Sequence, residues 1–471
     1  MKLVFLIIYL ILLISVIFIE RKNPPEALVW VLILIFIPYG GALIYLIFGS
    51  TFSLKLTRRL RGERLRGCYR SRRDSIKNML FRCRDDFAFT DMQKQVVDFN
   101  IAYNESNLTG YDDYEIFTDG KSHYKKLFED IKNAEKSIHI EYYTIHNDEV
   151  GKRLIDALTE KAKHGTEVIV MCDFIANINS PHRLFRPLVK AGGHFRRTKP
   201  FLTHFRSHRK LVIIDNRIAY IGGMNIGKQY VGMAKKKTPW RDTQIRLTGQ
   251  CCGFLELAYL ADWFCNSKRE DLSFAESAAD KAMLYNYPVS EYPCQFVLGG
   301  ADTDTEAVKM CYLSMIRSAE KHIRIQSPYF IPDESVLDAL KTAAASGVEI
   351  ELMIPGIKAS FFLDPLTNYY CGQLMRYGVR VYKYNGYIHA KTIVVDDKIC
   401  CIGSVNMDIR SLIVDDEICG VFYDEKLVGE YISIFNADFK IAREYAQADF
   451  LSRSRIEKLR ENIFILFSPI L

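Results

Sequence analysis

Two stretches of the chain carry the same reactive side chains in the same order. His208-Arg-Lys210-Leu-Val-Ile-Ile-Asp215 is followed by Ile221-Gly-Gly223-Met-Asn225, and His389-Ala-Lys391-Thr-Ile-Val-Val-Asp396 by Ile402-Gly-Ser404-Val-Asn406. The offset between the copies is constant from His through Asn, with no insertion in either. A lone His two residues from a Lys is commonly a surface pair; a complete second copy points to a shared site. Two imidazoles and two ammoniums in one cleft suit a phosphodiester. One imidazole attacks phosphorus, the other protonates the leaving alkoxide, and the same acid later serves as base toward an incoming hydroxyl. Lys210, Lys391, Asn225 and Asn406 are expected to hold the non-bridging oxygens and stabilise the trigonal-bipyramidal charge, with no metal ion or other cofactor. Ser404 adds a phosphate-binding hydroxyl that Gly223 lacks.

Each imidazole must also be fixed in one tautomer by a partner on its far nitrogen. Asp242, downstream of His208 in Pro239-Trp-Arg-Asp-Thr243, and Glu417, downstream of His389, are the candidates. Asp215 and Asp396 complete the two motifs; ending their strands, they are expected to hold the motif turn rather than touch phosphate.

The elements that must position these groups are also duplicated. Period-two alternation in a strand puts His and Lys on one face, and the apolar run after them continues into the core. Upstream, Ile131 to Asp148 and Ile316 to Asp333 align without a gap, with Ile, Ala, Glu, Lys and Asp recurring at the same places. Each copy reads as amphipathic helix, short strand, helix (150–164 and 334–346) and apolar strand (167–172 and 349–354), an α/β alternation. The stripe Ile456, Leu459, Ile463, Leu466 and Phe467 predicts a C-terminal helix packed on the core, with membrane contact as the alternative.

Composition restricts the partners. The 471 residues carry a formal net charge of +7, but nine basic residues against the single Glu63 within 51–73 exceed that total. The charge is therefore one cluster and not the basic coat of a nucleic-acid binder. Before it lie two uncharged runs, Leu3–Ile19 and Ala27–Leu54, joined by Glu20-Arg-Lys-Asn-Pro-Pro-Glu26. With ~17–25 residues needed to cross hydrocarbon, they predict a hairpin of two transmembrane helices. The basic cluster would keep the rest of the chain on the cytoplasmic side of the membrane. Twelve cysteines without a Cys-x-x-Cys pair read as small buried hydrophobes in a reducing compartment.

The paired His-x-Lys-x4-Asp motifs with trailing Gly-Gly/Ser-x-Asn resemble the phospholipase D superfamily over residues 110–471. The N-terminal segments with Glu20-Arg-Lys-Asn-Pro24, the phrases Ser327-Pro-Tyr-Phe-Ile-Pro-Asp333 and Gly403-Ser-x-Asn-x-Asp408-x-Arg410-Ser411, and the terminal Ser468-Pro-Ile-Leu471 are similar to bacterial cardiolipin synthases. The resemblance implies two sandwich domains related by a pseudo-twofold, and His208 as nucleophile with His389 as acid and base. It also implies a phosphatidyl-histidine intermediate and transfer between two phosphatidylglycerol molecules with release of glycerol. Phosphatidylglycerol, other anionic phospholipids and the membrane are then the partners, with no nucleic acid. The aromatic pairs Tyr329-Phe330, Phe361-Phe362 and Tyr369-Tyr370 could wall such a site against water. The expected plan is a membrane hairpin (1–50), a basic linker (51–110), a first domain (111–270), a connector (271–300) and a second domain (301–471). Gln244 departs from the His this family often carries after Trp-Arg-Asp-Thr. A hydrolytic phospholipase D would share every catalytic residue, a superfamily nuclease is disfavoured by the charge distribution, and an inactive scaffold by two intact motifs.

Overall fold

The computed structural model describes residues 2–20, 24–49, 82, 84–178, 182–198, 206–233, 240–266, 289–300, 305–358 and 360–468. The basic cluster at 51–73 lies outside them, as do the last three residues.

Two large sheets dominate, and they repeat one topology. In the first half the strands run in the order Asp113–Phe117, Gln244–Thr248, Ile218–Gly222, Lys210–Ile214, Ser137–Tyr142, Glu167–Cys172 and His194–Arg197. In the second the order is Tyr292–Gly299, Glu417–Phe422, Ile399–Gly403, Thr392–Val395, His322–Gln326, Glu349–Pro355 and Arg380–Tyr384, flanked by Leu108–Tyr111 and Ala442–Glu444 at the two edges. The outer strands Leu108–Tyr111 and Tyr292–Gly299 come from the stretches expected to be linker and connector. Their backbone pairing makes those stretches part of the second sheet.

The uninterrupted apolar runs of the motif strands follow from burial on both faces. Leu211 and Ile213 point into a core shared by the two halves, where they meet Ile388, Val394, Ile402 and Ile418 together with the helices Cys251–Asn266 and Glu425–Phe439. Val212 and Ile214 point the other way, toward the helices Gly120–Asn133 and Glu149–Lys163. In the second half Ile393 and Val395 face an equivalent outer layer that includes the helices Asp91–Asn104 and Ala307–Ser318. The two sheets therefore stack face to face with helices outside each. All ten described cysteines are buried and free of disulfides.

The N-terminal helices are shorter than the expected membrane spans. Lys2–Ile14 has 13 residues and runs into a single π-helical turn, Ser15–Ile19. Pro24–Phe36 also has 13 residues and breaks at Ile37, whose φ of −130° and ψ of 64° are non-helical. The cause is Pro38, which disfavours helical geometry in the residue before it. Among the described residues no single helix is long and apolar enough to cross a membrane. The C-terminal stripe also departs from expectation: the helix Arg455–Ile465 turns Ile456, Leu459 and Ile463 to solvent, and Leu466 and Phe467 beyond its end are exposed too.

Candidate active site

Each motif histidine sits where one half is stitched to the other by backbone. His208 N donates to Asp416 O (2.8 Å) and Asp416 N to Arg206 O (2.8 Å). Symmetrically, His389 N donates to Arg241 O (2.6 Å) and Arg241 N to Tyr387 O (3.0 Å). The residue after each bridging partner is a carboxylate, and it reaches the imidazole. His208 Nδ1 lies 2.8 Å from Glu417 Oε1, and His389 Nδ1 lies 2.6 Å from Asp242 Oδ2. The two carboxylates thus cross between the repeats: each hydrogen-bonds the histidine of the other copy. With Nδ1–H donated to a carboxylate, Nε2 keeps its lone pair for chemistry.

Both histidines open into one cleft of about 420 Å³, which Asn225 and Asn406 also line. Lys210 and Lys391 are buried beside them, each ammonium donating to the carbonyl of the histidine two residues earlier. An ammonium has three donors, so capacity remains for a substrate oxygen. Asn225 Oδ1 accepts from Thr144 N at 3.3 Å, whereas Asn406 Oδ1 is buried without a hydrogen-bond partner among the described residues.

Burial sets the protonation states. Desolvation, with Lys391 next to it, lowers His389 to about 3, and desolvation with Lys210 and Lys391 holds His208 well below its usual value. Both imidazoles are therefore held neutral near pH 7. Desolvation also lowers Lys210 to about 7 and Lys391 to about 8. The two carboxylates differ. Burial pushes Glu417 up to about 7, while at Asp242 the attraction of Lys391 and His389 overcomes burial and keeps the carboxyl below its ordinary range.

Three sequence-selected residues work outside the cleft. The Ser404 hydroxyl is fully buried and donates to the Glu417 carboxylate, so it braces the orienting residue instead of meeting phosphate. At the equivalent Gly223 a Cβ would run into the Asp242 carboxylate, which explains the missing hydroxyl. Asp215 accepts from the backbone N–H groups of Glu135, Lys136 and Ser137 at 2.6–2.8 Å, and Asp396 does the same for Glu320, Lys321 and His322. Both adopt positive φ, 54° and 50°, at the end of the motif strand.

The cleft also contains residues that the motif pattern did not select. Trp240 packs 5.0 Å from the His389 ring and Tyr143 stands edge-on 4.7 Å from His208. Arg206 lines the His208 end with Arg410, which pairs with Asp415 at 2.7 Å. Arg206 was detectable, because it precedes His208 by two and so shares the face of His208 and Lys210. Of the aromatic pairs expected as cleft walls, Tyr329 lines it, Phe330 is in the core, Tyr370 packs against that core, and Phe361 and Phe362 are exposed. Among the described residues no group of three His, Cys, Asp or Glu side chains is disposed to hold a metal ion.

The comparisons with known proteins agree with this geometry. Residues 127–236 and 312–439 match the family described as "Cardiolipin synthase, PLD-like domain", and residues 7–50 match "Phospholipase_D-nuclease N-terminal". The chain is 34% identical to the major cardiolipin synthase ClsA of Bacillus subtilis (strain 168), over 99% of this chain and 98% of that one. It is 35% identical to a cardiolipin synthase of Oceanobacillus iheyensis, over 98% and 96%. Among solved structures, phosphatidylserine synthase from Haemophilus influenzae superposes with a TM-score of 0.61 at 15% identity, covering 80% of this chain and all of that one; at that identity the likeness shows the fold. The duplicated sheets, the two motifs meeting in one cleft and near full-length relatives at this identity together place the chain in the cardiolipin synthase family of phospholipase D-like proteins.

Proposed function

We infer that the chain is a phosphatidyltransferase that makes cardiolipin from two phosphatidylglycerol molecules and releases glycerol. The observation that carries the mechanism is the crossed pairing of His208 with Glu417 and His389 with Asp242 across one cleft. His208 Nε2 attacks phosphorus, and the bond from phosphorus to the headgroup glycerol oxygen breaks. His389, which takes up a proton on Nε2 from solvent as the anionic diester binds, donates that proton to the leaving oxygen. A hydroxyl of the second phosphatidylglycerol then gives its proton to His389 and attacks phosphorus, displacing His208 and restoring both imidazoles. Lys210, Lys391, Asn225 and Asn406 hold the non-bridging oxygens.

The unequal carboxylates support the roles that the family resemblance implies: Asp242 stays ionised beside His389, the acid, whereas burial raises Glu417 beside His208, the nucleophile. The diester's own negative charge, arriving beside the two lysines, raises the His389 pKa when the acid is needed.

The N-terminal segment supports a membrane site of action. Its helices expose Ile11, Phe18, Leu28, Ile35 and Phe36, as a hairpin seated in lipid would. We assign it to the inner membrane, with the catalytic halves on the cytoplasmic side by the basic cluster at 51–73. Domain limits near 111–270 and 301–471 accommodate both motif copies, with the edge strands of the second sheet supplied from outside them.

Incubation with phosphatidylglycerol alone, followed by lipid mass spectrometry, tests the reading. Cardiolipin and free glycerol are expected. Phosphatidic acid as the main early product, without cardiolipin, would replace transfer by hydrolysis.

A further inference from the structure

The helix Arg455–Ile465 is amphipathic the wrong way round for a globular surface. Glu461 is buried against the protein and paired with Arg453, while the apolar stripe faces out. Ile456 is 72% exposed, Leu459 59% and Leu466 63%. The patch does not end there. Phe464 packs on Phe361 and Phe362, at ring distances of 5.6 and 5.0 Å, and these two phenylalanines are themselves 64% and 56% exposed. The next residue, Leu363, lines the catalytic cleft. Exposed apolar side chains therefore recur from the outer face of the last helix to the edge of the active site.

Singly exposed apolar residues are ordinary; a contiguous patch built on an inverted helix is not. Arg455, Lys458 and Arg460 punctuate it against one exposed acid, Glu457, and Arg460 stands 4.4 Å over the Phe361 ring, its guanidinium bonded to the Phe361 carbonyl. Apolar side chains interleaved with cations match an anionic bilayer surface, where such a helix lies in the plane of the interface. A protein partner would not call for continuity with a lipid-accepting cleft.

We propose that the helix Arg455–Ile465 and the Phe361–Phe362 loop form a second membrane contact, separate from the N-terminal segment, which seats the cleft edge in the headgroup layer so that lipid enters from the bilayer. The proposal rests on the lipid-transfer reading above, because it takes the lipid substrate as the reason for the patch's position. None of these residues touches the reacting atoms in the mechanism, so the contact acts on substrate delivery.

The test uses the full chain in nanodiscs of phosphatidylglycerol and an inert zwitterionic lipid, and compares wild type with Phe361→Ser/Leu459→Ser/Ile463→Ser. Each is also assayed on a short-chain phosphatidylglycerol kept below its critical micelle concentration. The triple variant should lose roughly tenfold or more on bilayer substrate and keep its rate on the monomeric one. Loss in both arms, or in neither, overturns the proposal. Absence of transfer by wild type in both arms would instead remove the reaction itself. As a structural readout, Leu459→Trp should gain fluorescence quenched by brominated acyl chains. A Leu459→Trp signal that ignores brominated lipid, whether a second copy of the chain or another segment of it covers the patch, likewise overturns the membrane assignment.

Discussion

His208 and Glu417 are 209 residues apart in sequence and 2.8 Å apart in space, Nδ1 to Oε1. With the mirrored pair His389 and Asp242, separated by 147 residues, they make each half of the molecule the support for the other half's histidine. Neither repeat holds both a motif histidine and the carboxylate bonded to it.

Removing the negative charge from one orienting pair should cost most of the rate without unfolding the protein. Glu417→Gln is expected to lower kcat by about a hundredfold or more, since a misassigned tautomer removes the attacking lone pair. Combining it with His208→Ala should add little to the single loss, because the two act as a unit. Steady-state kinetics of the two single variants and the double variant decide this; additive losses would mean Glu417 works elsewhere.

The nucleophile and the acid are separable with an activated donor. Phosphatidyl-p-nitrophenol needs no proton on its leaving group. His389→Ala should therefore still release one burst of p-nitrophenolate per enzyme and leave a phosphatidyl adduct on His208, visible by peptide mass spectrometry. His208→Ala should give no burst. The reverse pattern would exchange the roles.

Burial lowers Lys210 to about 7 and Lys391 to about 8. A lysine with a lowered pKa is cationic below that value and neutral above it, so the free site loses positive charge as pH rises through this window. For the anionic diester, kcat/KM should accordingly fall over about two pH units above 7, since it reports the free enzyme. The fall in kcat should come at higher pH, because bound phosphate raises both lysines. A kcat/KM that is flat from pH 7 to about 9 would contradict the electrostatic role.

Asp215 and Asp396 should behave as structural residues. Each accepts three backbone N–H groups. Asp215→Ala should destabilise by about 2–4 kcal/mol in denaturant melts, and Asp215→Asn by less, while activity per folded molecule stays near wild type. A large kcat loss with an unchanged melt would put the carboxylate in the chemistry.

Ser404 and Gly223 are matched to their carboxylates. Ser404→Ala removes the hydroxyl on Glu417 and should reduce kcat by about tenfold, the size of one charged hydrogen bond. Gly223→Ser should be worse, because the new side chain displaces Asp242 from His389. Equal and negligible effects on kcat would show that neither carboxylate needs its support.

Much of this site was legible in the chain. Period-two spacing put His208 with Lys210 and His389 with Lys391 on shared faces, and the duplication announced that the two sets meet. The α/β alternation follows from local pattern, which a sequence carries directly. Pairing across the interface does not. Asp242 and Glu417 could be chosen as orienting residues but not matched to their histidines, because that match depends on His208 N reaching Asp416 O and His389 N reaching Arg241 O. Arg209 and Arg241 look like incidental neighbours of the motifs; in the folded molecule Arg209 bonds the carbonyls of Glu417 and Gly299, and Arg241 bonds Asp438. The helix Arg455–Ile465 shows the same limit. Its stripe established that one face is apolar, but whether that face turns to core or solvent was decided by Glu461, whose buried pairing with Arg453 holds the polar side inward.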